Sequence, residues 1–242
     1  MPSSNSKNNY NLTEEEELYL KGFVVENRYN KLSTVASNRT DSLTILIDKL
    51  HHPHNISAIL RSAEAFGLTT VHIVEANASK EYFSSSSGIS LGSEEWIDVE
   101  RYQSSADAIL NLKKMGFKLV VLNPPSRDSS RSSMAIHELP YSTEKICLVF
   151  GSEKQGVSKE IEAQADFFAY IPMYVFMESF NVSVACAICL YSSTLSGAKN
   201  IRQTCKVTPE RESSLRRSWL FKSIKGADKI LNQYRKKFNF QE

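Results

Sequence analysis

The stretch that most constrains the fold is residues 146–191, ICLVFGSEKQGVSKEIEAQADFFAYIPMYVFMESFNVSVACAICLY. Its first five residues are an apolar run that ends at a glycine, which predicts a buried strand followed by a turn. A short helix is predicted at 158–165, a second strand at 167–171, and an apolar helix from Val182. Two strand ends and a helix start therefore bring three loops together. In an open α/β sheet, ligands bind beyond the carboxyl ends of the strands.

Apolar runs and amphipathic segments also occur before this stretch. Asn55 is predicted to cap the first amphipathic helix, because short polar side chains accept hydrogen bonds from the amides of a helix start. Strands are predicted at 43–47, 71–74, 96–99 and 117–122, and helices at 56–66 and 105–115.

Composition excludes several classes of protein. No apolar run approaches the ~18 residues that a membrane-spanning helix needs, and the first residues, MPSSNSKNNYN, lack a hydrophobic signal core, so a cytoplasmic protein is expected. Cys186 and Cys189 form a lone C-x-x-C inside an apolar helix and are predicted to pack in the core. His51, His52 and His54 lack an acidic or cysteine partner at ligand spacing, so no metal site is expected.

The two ends of the chain differ from its middle. Residues 206–242 contain ten Lys or Arg and four Asp or Glu, a balance of +6 that is typical of a polyanion-binding segment. We predict three parts: a Ser- and Asn-rich disordered start with a helical extension (1–40), a catalytic domain (41–205) and a basic helical extension (206–242). In the first part, Thr13 and Glu16 fit a capping box, and the helix is expected to reach about residue 30.

The hydrophobic and basic positions of these extensions follow from helical periodicity. Leu18, Phe23 and Val24 are predicted among the buried residues of the first helix. The basic extension is predicted to form two helices broken near Gly226. Its basic side chains are predicted to stay in solvent, either to bind a polyanion or as a solvated face: Arg216, Arg217, Lys222, Lys225, Arg235, Lys236 and Lys237.

Several motifs allow more than one interpretation. GSEKQGVS nearly fits a phosphate-binding Walker A loop, but Val157 occupies the position of its lysine. Arg61 could pair with Glu64 on a helix surface, or it could face a phosphate. Ser179 and Asn181 could fix a substrate, or they could simply cap the helix that follows.

The segments HPHNISAILRSAEAFG (52–67), GSEKQG and IPM…SFNVSVA resemble, in this order, the three motifs of the SPOUT superfamily of RNA methyltransferases. Within it they are similar to the TrmH family, which methylates ribose 2′-hydroxyls. The resemblance extends over most of residues 43–195. It implies an α/β fold with a mostly parallel sheet and a C-terminal deep trefoil knot, whose loops hold S-adenosylmethionine.

The resemblance also implies roles for individual residues. The catalytic set is expected to be Asn55, Arg61, Glu153, Ser179 and Asn181, and the cofactor is expected to contact Leu122, Gly151, Ile171, Met173, Ser179 and Phe180. Leu122 departs from the threonine that is frequent in relatives, so a backbone or apolar contact to adenosine is expected there. Whether Arg61 accepts the ribose proton or positions the ribose and phosphate is open, because the pKa of arginine exceeds ~12.

Helical extensions at both ends resemble those of the tRNA enzymes that modify guanosine 18. We therefore expect S-adenosylmethionine-dependent 2′-O-methylation of tRNA, at guanosine 18 of the D-loop. The alternatives are ribosomal RNA as substrate, or a catalytically silent RNA-binding module on the same fold. Relatives are dimers whose active site draws on both chains, so a homodimer is expected.

Overall fold

The computed structural model describes residues 12–75, 95–123, 133–152, 155–174, 179–195 and 205–238. Residues 1–11, which belong to the predicted disordered start, and Glu153 lie outside these ranges. The chain divides into two compact units. The larger unit contains Thr40–Lys206, and the smaller one combines Ser3–Arg39 with Val207–Glu242.

The larger unit is built on a parallel sheet, which confirms the predicted α/β class. Seven strands of the described residues pair in the order β3-β2-β1-β6-β4-β7-β5, and every pairing is parallel. They are β1 (Leu43–Asp48), β2 (Thr70–Val74), β3 (Asp98–Tyr102), β4 (Phe117–Leu122), β5 (Met134–Ala135), β6 (Lys145–Phe150) and β7 (Phe167–Tyr170). The strand predicted at 96–99 lies further along, because its pairing begins opposite Thr70 at Asp98. The short edge strand β5 was not predicted.

Helices cover both faces of this sheet. They are α3 (Pro53–Ala65), α4 (Ser105–Lys114), α5 (Lys159–Glu162) and α6 (Val182–Leu195). Residues of α3 and α6, among them Ile59, Leu60 and Leu190, share a buried cluster with one face of the sheet. Residues of α4 and α5, including Leu112 and Ile161, pack on the other. The strands are therefore apolar on both sides, as expected for a sheet between two helical layers.

Two predictions for these helices have clear outcomes. Cys186 and Cys189 are buried free thiols in α6, which confirms their assignment to the core. The predicted cap of α3 is wrong: the helix begins at Pro53, and His52 occupies the cap position. Proline suits the first helical position because a backbone N–H there has no intrahelical acceptor. The N–H that proline lacks is therefore not missed. Asn55 therefore lies inside the first turn.

The smaller unit consists of helices, and we call it the helical unit. They are α1 (Glu14–Lys21), α2 (Glu26–Ala36), α7 (Pro209–Lys222) and α8 (Ala227–Lys237). The capping box is confirmed, since Thr13 and Glu16 exchange hydrogen bonds of 3.0 and 3.2 Å. The prediction of one continuous helix to about residue 30 is wrong, because α1 ends at Lys21, with Gly22 as its C-cap, and α2 is a separate helix. Gly226 has φ +76° and breaks the C-terminal segment as predicted.

Acidic residues of α1 pair with basic residues of the C-terminal helices. Glu17 accepts from Nε of Arg216 at 2.6 Å and from Nε of Arg217 at 2.9 Å, and Glu16 accepts from Nε of Arg235 at 2.7 Å. Both carboxylates are buried. We call these five residues the acidic clasp. The prediction that all basic residues of the extension stay in solvent is wrong for these three arginines, because buried carboxylates require charged partners.

None of the helices in the described part of the chain is long and apolar enough to cross a membrane.

Candidate functional site

Three predicted cofactor residues follow neighbouring strands at one edge of the sheet. Strands β6, β4 and β7 are adjacent and parallel, with Val121 opposite Val149 and Leu122 opposite Ala169. Their carboxyl ends therefore lie at the same edge, about 4.8 Å apart from strand to strand. Leu122 ends β4, and Gly151 and Ile171 are the first residues after β6 and β7. The sheet therefore places these three residues at the same edge.

The loop after β6 is closed by its own backbone. Ser152 and Gly156 exchange two backbone hydrogen bonds, of 3.1 and 2.9 Å, and the Ser152 hydroxyl accepts from the Gln155 amide at 3.1 Å. A Cβ at Gly151 would lie 2.2 Å from the Gly156 carbonyl, a distance that no side chain permits. Gly156 itself has φ +66°. Both glycines are thus required for this tight loop, whatever it binds.

Among the described residues of this edge, several side chains near the three strand ends are apolar. Leu122 and Ile171 are half-buried and pack against the core, Met173 is half-buried, and Phe180 is 42 % exposed. Val157, at the position of the Walker lysine, is buried in the core. A nucleotide with phosphates needs amide and cationic donors, whereas adenosine and a thioether chain need apolar surface and a few backbone groups. The described residues of this edge therefore fit S-adenosylmethionine better than a nucleoside triphosphate.

The first and third motifs meet through two asparagines. Asn181 Nδ2 donates to Asn55 Oδ1 at 3.3 Å, across 126 positions of sequence. Asn181 Oδ1 accepts from the backbone amide and hydroxyl of Ser183, at 2.9 and 2.6 Å. Because a backbone amide can only donate, the oxygen of Asn181 must face Ser183, which leaves its nitrogen to face Asn55. Asn181 therefore caps α6, one of its two predicted roles, and also holds Asn55.

Arg61 and Ser179, the other predicted catalytic residues that the structure describes, show no hydrogen bond to this asparagine pair. Arg61 is exposed on the side of α3 away from the core, six residues beyond Asn55 or roughly 9 Å along the helix. The alternative ion pair between Arg61 and Glu64 is absent from the described residues. Ser179 is exposed beside Phe180, and the described residues offer its side chain no hydrogen bond. Glu153 lies outside the described ranges.

One buried carboxylate near the glycine loop was missed by sequence analysis. Asp48 ends β1 with 2 % of its surface exposed. Its Oδ2 accepts from the Ser158 amide at 2.7 Å, and its Oδ1 accepts from the Ser105 hydroxyl at 3.3 Å. Asp48 thus fixes Ser158, the N-cap residue of α5, directly after the glycine loop. A charged residue closing the apolar run LTILID was the available signal.

The three histidines considered as metal ligands lie at the start of α3 or just before it. His51, His52 and His54 are exposed. Within the ranges that the structure describes, no group of three or more ligating side chains could hold a metal ion.

Comparison with known proteins identifies the family. The family model described as "SpoU rRNA Methylase family" matches residues 42–191, which include the glycine loop and the asparagine pair. The chain belongs to the SpoU rRNA Methylase family.

Several curated relatives align with most of this chain. A tRNA (guanosine(18)-2'-O)-methyltransferase of Borreliella burgdorferi is 31 % identical over 173 residues, which are 72 % of this chain and 75 % of that protein. The enzyme of the same name from Thermus thermophilus is 33 % identical over 198 residues, 81 % of this chain and 97 % of the relative.

Solved SpoU structures share the fold. The A. aeolicus TrmH/SpoU tRNA modifying enzyme superposes with a TM-score of 0.68 and 29 % identity, covering 83 % of this chain and 98 % of that one. The SpoU methyltransferase AviRb from Streptomyces viridochromogenes, in complex with the cofactor AdoMet, superposes with a TM-score of 0.54 and 25 % identity. That match covers 64 % of this chain and 60 % of AviRb. The resemblance to RNA methyltransferases of the TrmH family is confirmed.

Proposed function

We propose that this protein is an S-adenosylmethionine-dependent tRNA methyltransferase that modifies the ribose 2′-oxygen of guanosine 18. The names of relatives that align over most of the chain support the substrate. The observation that carries the proposal is the hydrogen bond between Asn181 and Asn55, because it joins the first and third motifs in the unit that carries the strand-end loops. The intact residues Asn55, Arg61, Glu153, Ser179 and Asn181 argue against a fold retained only for RNA binding.

Each part of the strand-end site has a task in this reaction. Leu122, Gly151, Ile171, Met173 and Phe180 would hold the cofactor, with Leu122 contributing apolar or backbone contact. When bound, S-adenosylmethionine supplies a methyl group on a positively charged sulfur. The rate gained by orienting two reactants is large, so tight loops such as Gly151–Gly156 serve the reaction by fixing the cofactor.

The remaining residues act on the RNA. Asn55, held by Asn181, would orient the ribose, and Ser179 and Glu153 would complete the polar side of the site. Arg61 is exposed and available for a substrate phosphate. A guanidinium bound to phosphate holds its proton even more firmly than a free one, which favours positioning over proton removal. Both roles make Arg61 essential.

Three further features belong to the proposal. The loops at the strand ends form the deep trefoil knot of the family. Two protomers associate as a homodimer, which is supported by apolar side chains on α6 that remain exposed in a single chain, Val184 at 47 % and Tyr191 at 57 %. The protein acts in the cytoplasm, with 1–40 and 206–242 as helical extensions of the catalytic domain at 41–205.

The basic extension would bind RNA phosphates through lysines that are exposed: Lys222, Lys225, Lys229, Lys236 and Lys237. Removing one lysine–phosphate interaction should lower the slope of log affinity against log salt by roughly 0.7–0.9. Reversing the charge of Lys236 and Lys237 together should therefore reduce this slope by roughly 1.5, because both remain outside the acidic clasp. An unchanged slope would mean that these lysines are only a solvated face.

The decisive experiment measures cofactor binding and methyl transfer separately. Calorimetry should detect S-adenosylmethionine binding without RNA, because the protein alone supplies the site. Methylation of a tRNA transcript, followed by nuclease digestion and mass spectrometry, should place the methyl group on guanosine 18. Arg61→Ala should abolish transfer but keep cofactor affinity, and Arg61→Lys is the matched control that preserves charge. RNA binding without transfer would favour the silent module, and transfer only to ribosomal RNA would favour the alternative substrate.

A further inference from the structure

Four aromatic side chains form a row across α1 and α8 of the helical unit. Phe23 contacts Tyr19 edge-on with ring centroids 5.4 Å apart, Tyr19 stacks on Tyr234 at 4.3 Å, and Tyr234 lies 4.9 Å from Phe238. We call these residues the aromatic row. It joins the N-terminal and C-terminal segments of the unit on a surface that neither segment could form alone.

The row is not part of the hydrophobic core. Phe23 is 49 % exposed and Phe238 is 55 % exposed, although the apolar pattern predicted that Phe23 would be buried. The buried side chains of this unit are others, such as Leu20 and Trp219. Phe23 and Phe238 of the aromatic row thus expose about half of their surface to water. Grouped exposed aromatic side chains of this kind are typical of binding surfaces.

The charges beside the row favour an anionic partner. The Lys237 ammonium lies 5.7 Å from the centroid of the Phe238 ring, and Lys236 is exposed next to it. The buried Glu16 carboxylate is paired with Arg235 and therefore presents little negative charge to solvent. Glu15, four residues before Tyr19, and Glu26, three residues after Phe23, are exposed acids that oppose this trend. The combination of aromatic faces and adjacent cations is the one that proteins use to bind unpaired nucleotides.

We propose that the aromatic row is a stacking surface for unpaired bases of RNA, with Phe23 and Phe238 as the outer platforms. The inference rests on the proposed function, in which the substrate is a tRNA with exposed loop bases. Stacking differs from charge attraction, because the aromatic rings would contact the faces of the bases whereas the lysines would bind the phosphates. A second protein copy on the same surface is the competing occupant.

The test replaces the ring faces and preserves apolar character. In the Phe23→Leu/Phe238→Leu variant, the dissociation constant for a tRNA transcript should rise by roughly fivefold or more, up to about 100-fold for each base that no longer stacks. The slope of log affinity against log salt should stay unchanged, because no charge is removed. S-adenosylmethionine affinity and kcat at saturating tRNA should also stay the same. Phe23→Tyr/Phe238→Tyr should bind as the wild type does.

Matched controls exist in the same unit. Leu18→Ala and Val25→Ala remove side chains that are 72 % and 73 % exposed but carry no ring, and they should leave tRNA affinity unchanged. Ultraviolet crosslinking of the wild-type protein to tRNA, followed by peptide mapping, should identify the peptides that contain Phe23 and Phe238. This second measurement does not depend on how the variants fold.

The outcomes separate the proposals. Wild-type affinity of the leucine variant, with no crosslink to either peptide, overturns the stacking surface even if methylation of guanosine 18 is normal. A changed sedimentation coefficient of the leucine variant with unaltered tRNA binding also overturns it and assigns the row to a protein interface. Failure of the wild type to bind cofactor or to methylate tRNA would instead refute the proposed function. The crosslinking and affinity data would still test whether the aromatic row binds RNA bases.

Discussion

The acidic clasp predicts that one buried carboxylate holds the helical unit together. Glu17 is the centre of this clasp, with 8 % of its side-chain surface exposed. It accepts hydrogen bonds from Arg216, Arg217 and the Tyr29 hydroxyl. Glu17→Gln keeps the shape of the side chain but removes its charge, which leaves two guanidinium groups without their common counter-charge.

The size of the effect follows from burial. Removing one partner of a buried ion pair costs about 3–5 kcal/mol. The side chains of Arg216 and Arg217 keep 20 % and 21 % of their surface in solvent, so water compensates part of the loss. We therefore expect the free energy of unfolding to fall by about 3 kcal/mol, the lower end of that range. Glu14→Gln is the matched control, because Glu14 lies 3.6 Å from Arg217 but is 93 % exposed. Its change should stay below about 0.5 kcal/mol.

Urea denaturation can report this unit alone. The chain has two tryptophans, and Trp219 is buried in the helical unit. In a Trp96→Phe background, fluorescence follows Trp219 only. Equal and small midpoint shifts for the Glu17 and Glu14 variants would refute the reasoning, since burial would then have no influence on the pair.

The clasp should also respond to acid. Burial opposes ionisation of Glu17, but hydrogen bonds from Arg216, Arg217 and Tyr29 outweigh it and hold its pKa below the usual 4.5. A lowered pKa in the folded state contributes stability above the unfolded pKa, and this contribution is lost as the pH falls through the folded pKa. The Trp219 transition should therefore weaken below about pH 4.5 in the wild type, and less so in Glu17→Gln.

Other predictions concern the larger unit. Asn181→Asp retains an oxygen that can cap α6 but removes the donor to Asn55, so methylation should fall by about tenfold or more while cofactor affinity persists, and Ser183→Ala should be milder. Asp48→Asn should weaken S-adenosylmethionine binding in calorimetry, because it disturbs the hydrogen bond that fixes Ser158; unchanged affinity would contradict this positioning role. Burial lowers the pKa of His72 to about 4. The free energy of unfolding should therefore fall by up to about 3 kcal/mol as the pH decreases from 6.5 to 4. His72→Asn should lose this pH dependence.

Local sequence pattern determined most strands and helices of this protein. The strand at Phe117–Leu122 and the capping box at Thr13 are found where the residues predict them. Apolar runs, caps and glycines act within a few residues, so their effect can be read without knowing the fold. The three sequence motifs also indicated the family, because their order and spacing are properties of the sequence.

Tertiary structure alone decided which distant residues meet. The Asn55–Asn181 hydrogen bond and the pairing of Glu17 with Arg216 and Arg217 join positions more than a hundred residues apart. Nothing local distinguishes a solvated arginine from one that neutralises a buried carboxylate, and nothing local distinguishes a core phenylalanine from Phe23. In each case the outcome depends on which surface the rest of the chain presents to that side chain, because burial and counter-charge are supplied by residues remote in sequence.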